Sequence, residues 1–257
     1  MREWRFLALS AAALAAACTQ GQPPPSASPE PSIASRVLAA SPDVIRAAPE
    51  LDAFVTQTAE KAIADHCAVC HGADLTGKPG VANLVDFDWL WGITFEETTN
   101  VAPVMEIEQT ILYGIRNTDC PLIADQSRYG GCVDTRYSEM PAYRDIGIFN
   151  ADQTHDLVEY VVSLSGADAD ADAGAAARGK ELWTTCIECH GDDGHGYRPY
   201  GGPDLTDDIW LYGADRATIT DVILAGRKGQ CPPWADKLDA ATVKSLAVYI
   251  WRKASGG

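Results

Sequence analysis

Apolar residues along the chain mostly follow the three-to-four-residue spacing of amphipathic helices. The alternation that builds strands is scarce. The helical spacing is clearest at Leu157, Tyr160, Val161 and Leu164, and again at Leu246, Tyr249 and Ile250. Shorter helices are predicted over residues 59–66 and 179–185, each running into a pair of cysteines. Others lead into Ile111 and Ile223, and Gly- and Pro-rich loops join these segments. The pattern predicts an all-α fold.

The same pattern occurs twice. Cys67-Ala-Val-Cys70-His71-Gly72, Gly77, Asn83-Leu84 and Trp89-Leu-Trp-Gly92 match Cys186-Ile-Glu-Cys189-His190-Gly191, Gly196, Asp204-Leu205 and Trp210-Leu-Tyr-Gly213. Ile111-Leu-Tyr-Gly114 matches Ile223-Leu-Ala-Gly226, and Met140-Pro-Ala-Tyr143 matches Cys231-Pro-Pro-Trp234. An acidic small-residue stretch separates the copies, so two tandem domains are expected over 51–165 and 177–257, with a linker at 166–176.

The amino terminus reads differently. Arg2 and Arg5 precede an apolar run from Phe6 to Ala17, too short to cross a bilayer and suited to an export signal over 1–17. Ala15-Ala16-Ala17-Cys18 resembles the lipobox of bacterial lipoproteins, in which the cysteine is acylated. A plain secretory signal cut near Cys18 is the rival reading. Residues 18–50, rich in Pro, Ser and Gln at their start, are expected to form a lipid-anchor tether. These features imply a periplasmic protein held to a membrane through Cys18.

Net charge is −16 over 257 residues, and loss of residues 1–17 removes two positive charges and one negative, leaving −17. Such a surface repels nucleic acid and favours a basic redox partner. The eight cysteines are unevenly spaced, and four of them form the two repeated clusters.

Cys-x-x-Cys-His is the attachment pattern of haem c, with two thiols for the two vinyl groups and a histidine for the iron. Zinc needs four ligands, and each repeat holds one such cluster; pairing both clusters would supply four thiolates. A redox dithiol of the thioredoxin kind belongs in an α/β pattern, which is absent here. Each domain is small, so a covalent cofactor would add core that the chain lacks.

These phrases resemble class I cytochromes c, and more closely the dihaem subunit of cbb-type haem–copper oxidases. The resemblance rests on Asn83-Leu84, Trp89-Leu90-Trp91-Gly92, Pro203-Asp204-Leu205-Thr206-Asp207, Trp210-Leu211-Tyr212-Gly213, Thr135-Arg136-Tyr137-Ser138-Glu139-Met140-Pro141 and Gly226-Arg227-Lys228-Gly229. It implies two class I cytochrome c domains with two haem c groups, bound through Cys67 and Cys70 and through Cys186 and Cys189. His71 and His190 are then the proximal ligands. The carbonyl that orients the proximal histidine falls on Pro203 in the second copy and on Ala82 in the first. The amino terminus departs from that family, whose subunit is anchored by transmembrane helices.

The distal ligands implied by the resemblance differ between copies. Met140 stands at the family's Met-Pro position in the first. Met105 is the other methionine of the mature chain, and it is read as packing because its segment has no counterpart. The second copy has Cys231 at the matching position, with His195, Lys228, an open site or a swapped loop as rivals. An anionic thiolate favours ferric iron and a neutral thioether ferrous iron. The expectation is therefore a higher-potential haem on 51–165 and a lower one on 177–257, with electrons running from the second to the first.

Trp89, Trp210, Arg136 and Arg227, with Arg116, are candidates for haem propionate contacts; core packing or an exposed face is the competing role for each. The first copy also carries an insertion of 21 residues between Gly114 and Met140 relative to the second. Its Cys120 and Cys132 read as a disulfide in an oxidising compartment, with metal binding as the rival. The leading function is a lipid-anchored dihaem electron carrier. The alternatives are a dihaem oxidoreductase of the thiosulfate dehydrogenase kind, with Cys231 marking its substrate site, and a tethered subunit of a larger respiratory complex. A stand-alone enzyme is the less favoured role.

Overall fold

Short polar side chains cap several of the helices. Ser32 and Ser41 accept a first-turn N–H at the heads of α1 (Ile33–Ala39) and α2 (Pro42–Ala47). α3 (Pro49–Ala62) continues through a wider π-type turn, Ile63–Cys67, into the single turn α4 (Ala68–His71). α5 (Val104–Tyr113), α6 (Tyr143–Ile146) and α7 (Ala151–Ser165) complete the first half. In the second, Asp172 caps α8 (Ala173–Leu182), a 3₁₀ turn (Trp183–Thr185) leads to α9 (Ile187–His190), and Asp215 and Asp239 cap α10 (Arg216–Ala225) and α11 (Ala240–Ala254). This computed structural model describes residues 30–91, 103–117, 135–165 and 171–256. Among the described residues extended pairing is limited to isolated bridges, so the fold is all-α.

The stretch assigned to a tether folds from Ser32 onward. α1 packs on α3 and α11, and α2 packs on α3. Val37 and Ile45 have no exposed surface. The Pro-rich composition stops before these residues, and their apolar side chains occur at helical spacing. The expectation of a tether over 18–50 therefore fails for residues 33–47, which are largely helical.

The packing also departs from two consecutive domains. One core joins Val37, Val55, Ile63, Val104 and Ile107 of the first half to Leu246, Val248 and Ile250 of α11. The other joins Leu157, Tyr160 and Val161 of α7 to Trp183, Ile219 and Ile223 of the second half. Each half thus gives its last helix to the other's core, and residues 32–257 form one compact unit. The boundaries expected at 51–165 and 177–257 follow the repeat but not the cores.

Ion pairs reinforce the second core. Arg216 of α10 grips Glu159 of α7 at 2.6 Å, and the carboxylate, only 4% exposed, also accepts the Asp172 N–H that opens α8. Arg178 of α8 forks onto Asp156 of α7.

Two predictions follow from this packing. Leu246→Ala, at a side chain 1% exposed, costs about 2–5 kcal/mol. Hydrogen exchange should accelerate in α3 and α5, while α7 and α8 remain protected; Leu157→Ala should give the reverse. Arg216, chiefly through its hydrogen bonds, holds Glu159 below the usual carboxylate range. Its contribution to stability is present above the unfolded pKa of about 4.3 and is lost as pH falls through the lower folded value. Glu159→Gln should lower stability at neutral pH and flatten its acid dependence, read by urea unfolding at pH 3 to 7.

Candidate functional site

Each cysteine pair ends on a one-turn helix that presents the following histidine. α4 and α9 both stop at a glycine with positive φ, Gly72 at 79° and Gly191 at 75°, and the chain turns back over the histidine ring. His71 Nδ1 lies 2.8 Å from the Ala82 carbonyl, and His190 Nδ1 lies 3.1 Å from the Pro203 carbonyl. Both carbonyls stand where the sequence placed them. With Nδ1 donating, Nε2 of each ring is the free lone pair, which is the arrangement an iron ligand requires. Burial lowers the His190 pKa, against the smaller opposing pull of the Pro203 hydrogen bond, and favours the neutral, ligating form.

The opposite faces are exchanged in the same way as the helices. Cys231 was expected beside His190, and Met140 beside His71. Instead Met140 packs against the second core, which holds Tyr160 and Trp183 and against which Cys186 also packs. Three residues further on, the Tyr143 hydroxyl donates to the carbonyl of Thr185, the residue before Cys186, at 3.3 Å. On the other side, Trp234 stacks at 5.0 Å on His66, the residue before Cys67. Burial pushes the half-buried Cys231 thiol up to about 11, and the charges of Cys67 and Cys70 add to that shift. A thiol in such surroundings stays protonated unless a positive centre stabilises its thiolate.

The crossing is made by backbone. Ile115 and Cys231 exchange N–H···O bonds of 2.9 and 3.2 Å, and Met140 and Arg227 exchange two of 2.9 Å. Ile115 and Arg227 each follow a glycine, Gly114 and Gly226, at φ 74° and 67°. A Cβ at Gly114 would sit 2.3 Å from the Cys231 carbonyl, and one at Gly226 would sit 2.4 Å from the Met140 carbonyl. The two glycines admit the other half's distal segment.

Four propionate candidates are engaged elsewhere. The Trp89 and Trp210 indoles donate to the carbonyls of Asp86 and Asp207, three residues back, at 3.2 and 3.1 Å. A local carbonyl satisfies each single N–H. Arg136 pairs with Glu106 and Thr110. Arg227 pairs with Asp221 at 2.7 Å and lies over the Tyr212 ring. Of the rival ligands, His195 sits on an exposed loop held by Asp204 and Thr206, and Lys228 is exposed. Met105 is 71% exposed on α5, away from either core. Cys18, Cys120 and Cys132 lie outside the described residues.

Sequence reasoning missed two links between the halves. Arg198 donates to the Trp89 carbonyl and pairs with Asp88, both at 2.5 Å. Arg116 reaches from the end of α5 to both distal segments. Neither carries a sequence signal, because both partners lie more than twenty residues away or on backbone carbonyls.

The residues present fit an iron porphyrin at each cluster: two thiols and one oriented imidazole, with a segment of the other half packed nearby. Cys67 packs with the first core and Cys186 with the second, so the two clusters serve separate centres rather than a shared four-thiolate zinc site.

The family model for cytochrome c oxidase, cbb3-type, subunit III matches residues 174–250. The chain is 38% identical over 207 residues to the cbb3-type cytochrome c oxidase subunit CcoP of Cereibacter sphaeroides, covering 80% of this chain and 63% of that protein. It is 39% identical over 209 residues to subunit FixP of Azorhizobium caulinodans, covering 81% and 63%. It is 36% identical over 225 residues to subunit CcoP of Azospirillum brasilense, covering 86% and 69%. The chain thus spans less than two thirds of the length of the first two. Among the described residues no helix is long and apolar enough to cross a membrane. This chain belongs to the CcoP/FixP family of cbb3-type cytochrome c oxidase subunits, and its cofactors are two haem c groups.

Proposed function

We propose that this chain is an electron-transfer cytochrome serving a terminal oxidase, with two unequal centres crossed between its halves. In this reading Cys67, Cys70 and His71 share one haem with Cys231, while Cys186, Cys189 and His190 share the other with Met140. The single observation that carries it is the exchange of distal segments, which sets Met140 against the Cys186 core and the Cys231 thiol within reach of Cys67 and Cys70. Haem c, when bound, supplies a one-electron ferric–ferrous couple. The protein sets its potential through the sulfur it offers. Cys231 as thiolate stabilises the ferric state, and Met140 as thioether the ferrous state. The lower potential then belongs to the Cys67 centre, the reverse of the order that sequential domains imply, and the downhill direction runs from the Cys67 centre to the Cys186 centre.

The relatives' names favour electron delivery within an oxidase over oxidation of a sulfur compound. Acylation of Cys18, a periplasmic setting and a Cys120–Cys132 disulfide complete the reading. They suit the short apolar leader, the oxidising compartment such a leader addresses, and the pairing of two cysteines within one inserted loop. The acidic surface suits a basic partner, with association weakening as salt rises.

A redox titration followed by low-temperature electron paramagnetic resonance tests the assignment. Two separated potentials are expected, with thiolate-type low-spin ferric signals at the lower one. Cys231→Met should raise that potential by a sizeable fraction of the roughly 0.8 V range that axial ligation spans, and leave the other in place. Equal potentials in the parent protein would overturn the assignment.

Met140→Ala should perturb the higher-potential centre alone. Purified chain with Cys186→Ala and Cys189→Ala should retain the thiolate signal, because that signal comes from the Cys67 centre. Its loss in this variant would restore the sequential pairing.

A further inference from the structure

The two distal segments meet at one side chain. Arg116 closes the turn after α5 and takes a left-handed backbone, φ 53°, that only one other described non-glycine residue, Leu75, shares. Such a conformation persists in a non-glycine residue when surrounding contacts over-determine it. Here they come from both sides. The Arg116 N–H donates to the Arg136 carbonyl at 2.8 Å, and the Arg116 carbonyl accepts the Gln230 side-chain amide at 2.9 Å. Its guanidinium donates through Nε to the Ser138 carbonyl and through Nη1 to the Gly229 carbonyl, the latter at 2.6 Å.

These partners are not scattered. Ser138 lies two residues before Met140, and Gly229 lies two residues before Cys231. One guanidinium therefore holds equivalent carbonyls ahead of both sulfur atoms. A planar fork with fixed donor directions can span two such acceptors; an ammonium, a point donor on a flexible stem, has no such fixed reach. The repeat equivalent of Arg116 is Lys228, which is exposed, so the role is held by the first half alone.

We infer that Arg116 is a shared positioning residue for the two distal ligands, fixing Met140 and Cys231 together from one point. This rests on the crossed-ligand reading above. Arg116 touches neither reacting group and acts through the backbone of both segments. Loss of its guanidinium releases both segments at once, whereas loss of any partner confined to one segment releases one.

The test uses the full-length, haem-loaded protein with helix content checked by circular dichroism. Arg116→Gln and Arg116→Gly, the second of which suits the left-handed backbone, should both diminish the native low-spin signals of both centres and shift both potentials. Arg116→Lys, which keeps the charge, should not restore the signals. Asp221→Ala, which removes the carboxylate partner of Arg227 beside Met140, should alter the Met140 centre alone. Met140→Ala and Cys231→Ala, each silencing one native signal, establish the ligand reading independently. If these two behave so and Arg116→Gln disturbs one centre or none, the inference is wrong while the ligand reading stands. Full recovery of both signals by Arg116→Lys also overturns it, because charge alone then accounts for the effect.

Discussion

Two short backbone pairings, Ile115 with Cys231 and Arg227 with Met140, hold the architecture in its crossed form. They admit no side chain at Gly114 or Gly226, so the exchange is built into the chain at the only residue type that allows it. Everything distal to the histidines depends on these contacts. In the proposed reading they decide which sulfur faces which cysteine pair, and they lie just beyond α5 and α10. Because α7 closes the second core and α11 the first, neither core is complete until the other half has been made. The two halves thereby complete each other's cores, with long-range contacts that slow formation relative to two independent domains.

The connections around this crossing use polar groups where apolar ones would slide. Arg198 ties the loop of the second half to Asp88 and the Trp89 carbonyl of the first. Gly80 of the first half packs on Tyr212 of the second, and Gly201 of the second on Trp91 of the first, so the loops interlock in matching places. These groups are partly shielded from water, where a directed hydrogen bond fixes register more strongly than an exposed ion pair does. The repeat thus survives as an approximate twofold relation between halves, carried by loops and distal segments as well as by helices.

Much of this was legible in the sequence, and the illegible part has a physical cause. Helix periodicity, the cysteine–histidine clusters and the Ala82 and Pro203 carbonyls are local, and local patterns read directly. The exchange is not local. An amphipathic face at Leu157 or Leu246 states that a helix buries one side, but it is silent about whose core receives it. The two halves carry the same helical spacing, so the pattern does not assign either helix to a core. The tryptophan indoles show a related limit: a carbonyl three residues back competes with any distant acceptor, and spacing alone does not reveal that a turn brings it near. α1 and α2 were hidden by the Pro-rich residues before them, although Val37 and Ile45 already carry the helical spacing.

In the proposed reading, the functional asymmetry of the molecule comes down to the form of sulfur offered at one repeat position. The scaffold around Met140 and Cys231 is matched: a glycine at the approach, a proline after the sulfur, and an aromatic three residues on that packs beside the residue preceding a cysteine pair. Changing thioether to thiolate alters the charge offered to iron while leaving that scaffold intact, which separates two potentials in a matched frame. Crossing then reassigns the result. The thiol encoded in the second half tunes the centre of the first, so the order of potentials along the chain is opposite to the order of the residues that set it. A protein built of independent domains could alter one centre by altering one domain; here each centre is a joint product of both halves, so a change in either half can reach the other half's centre.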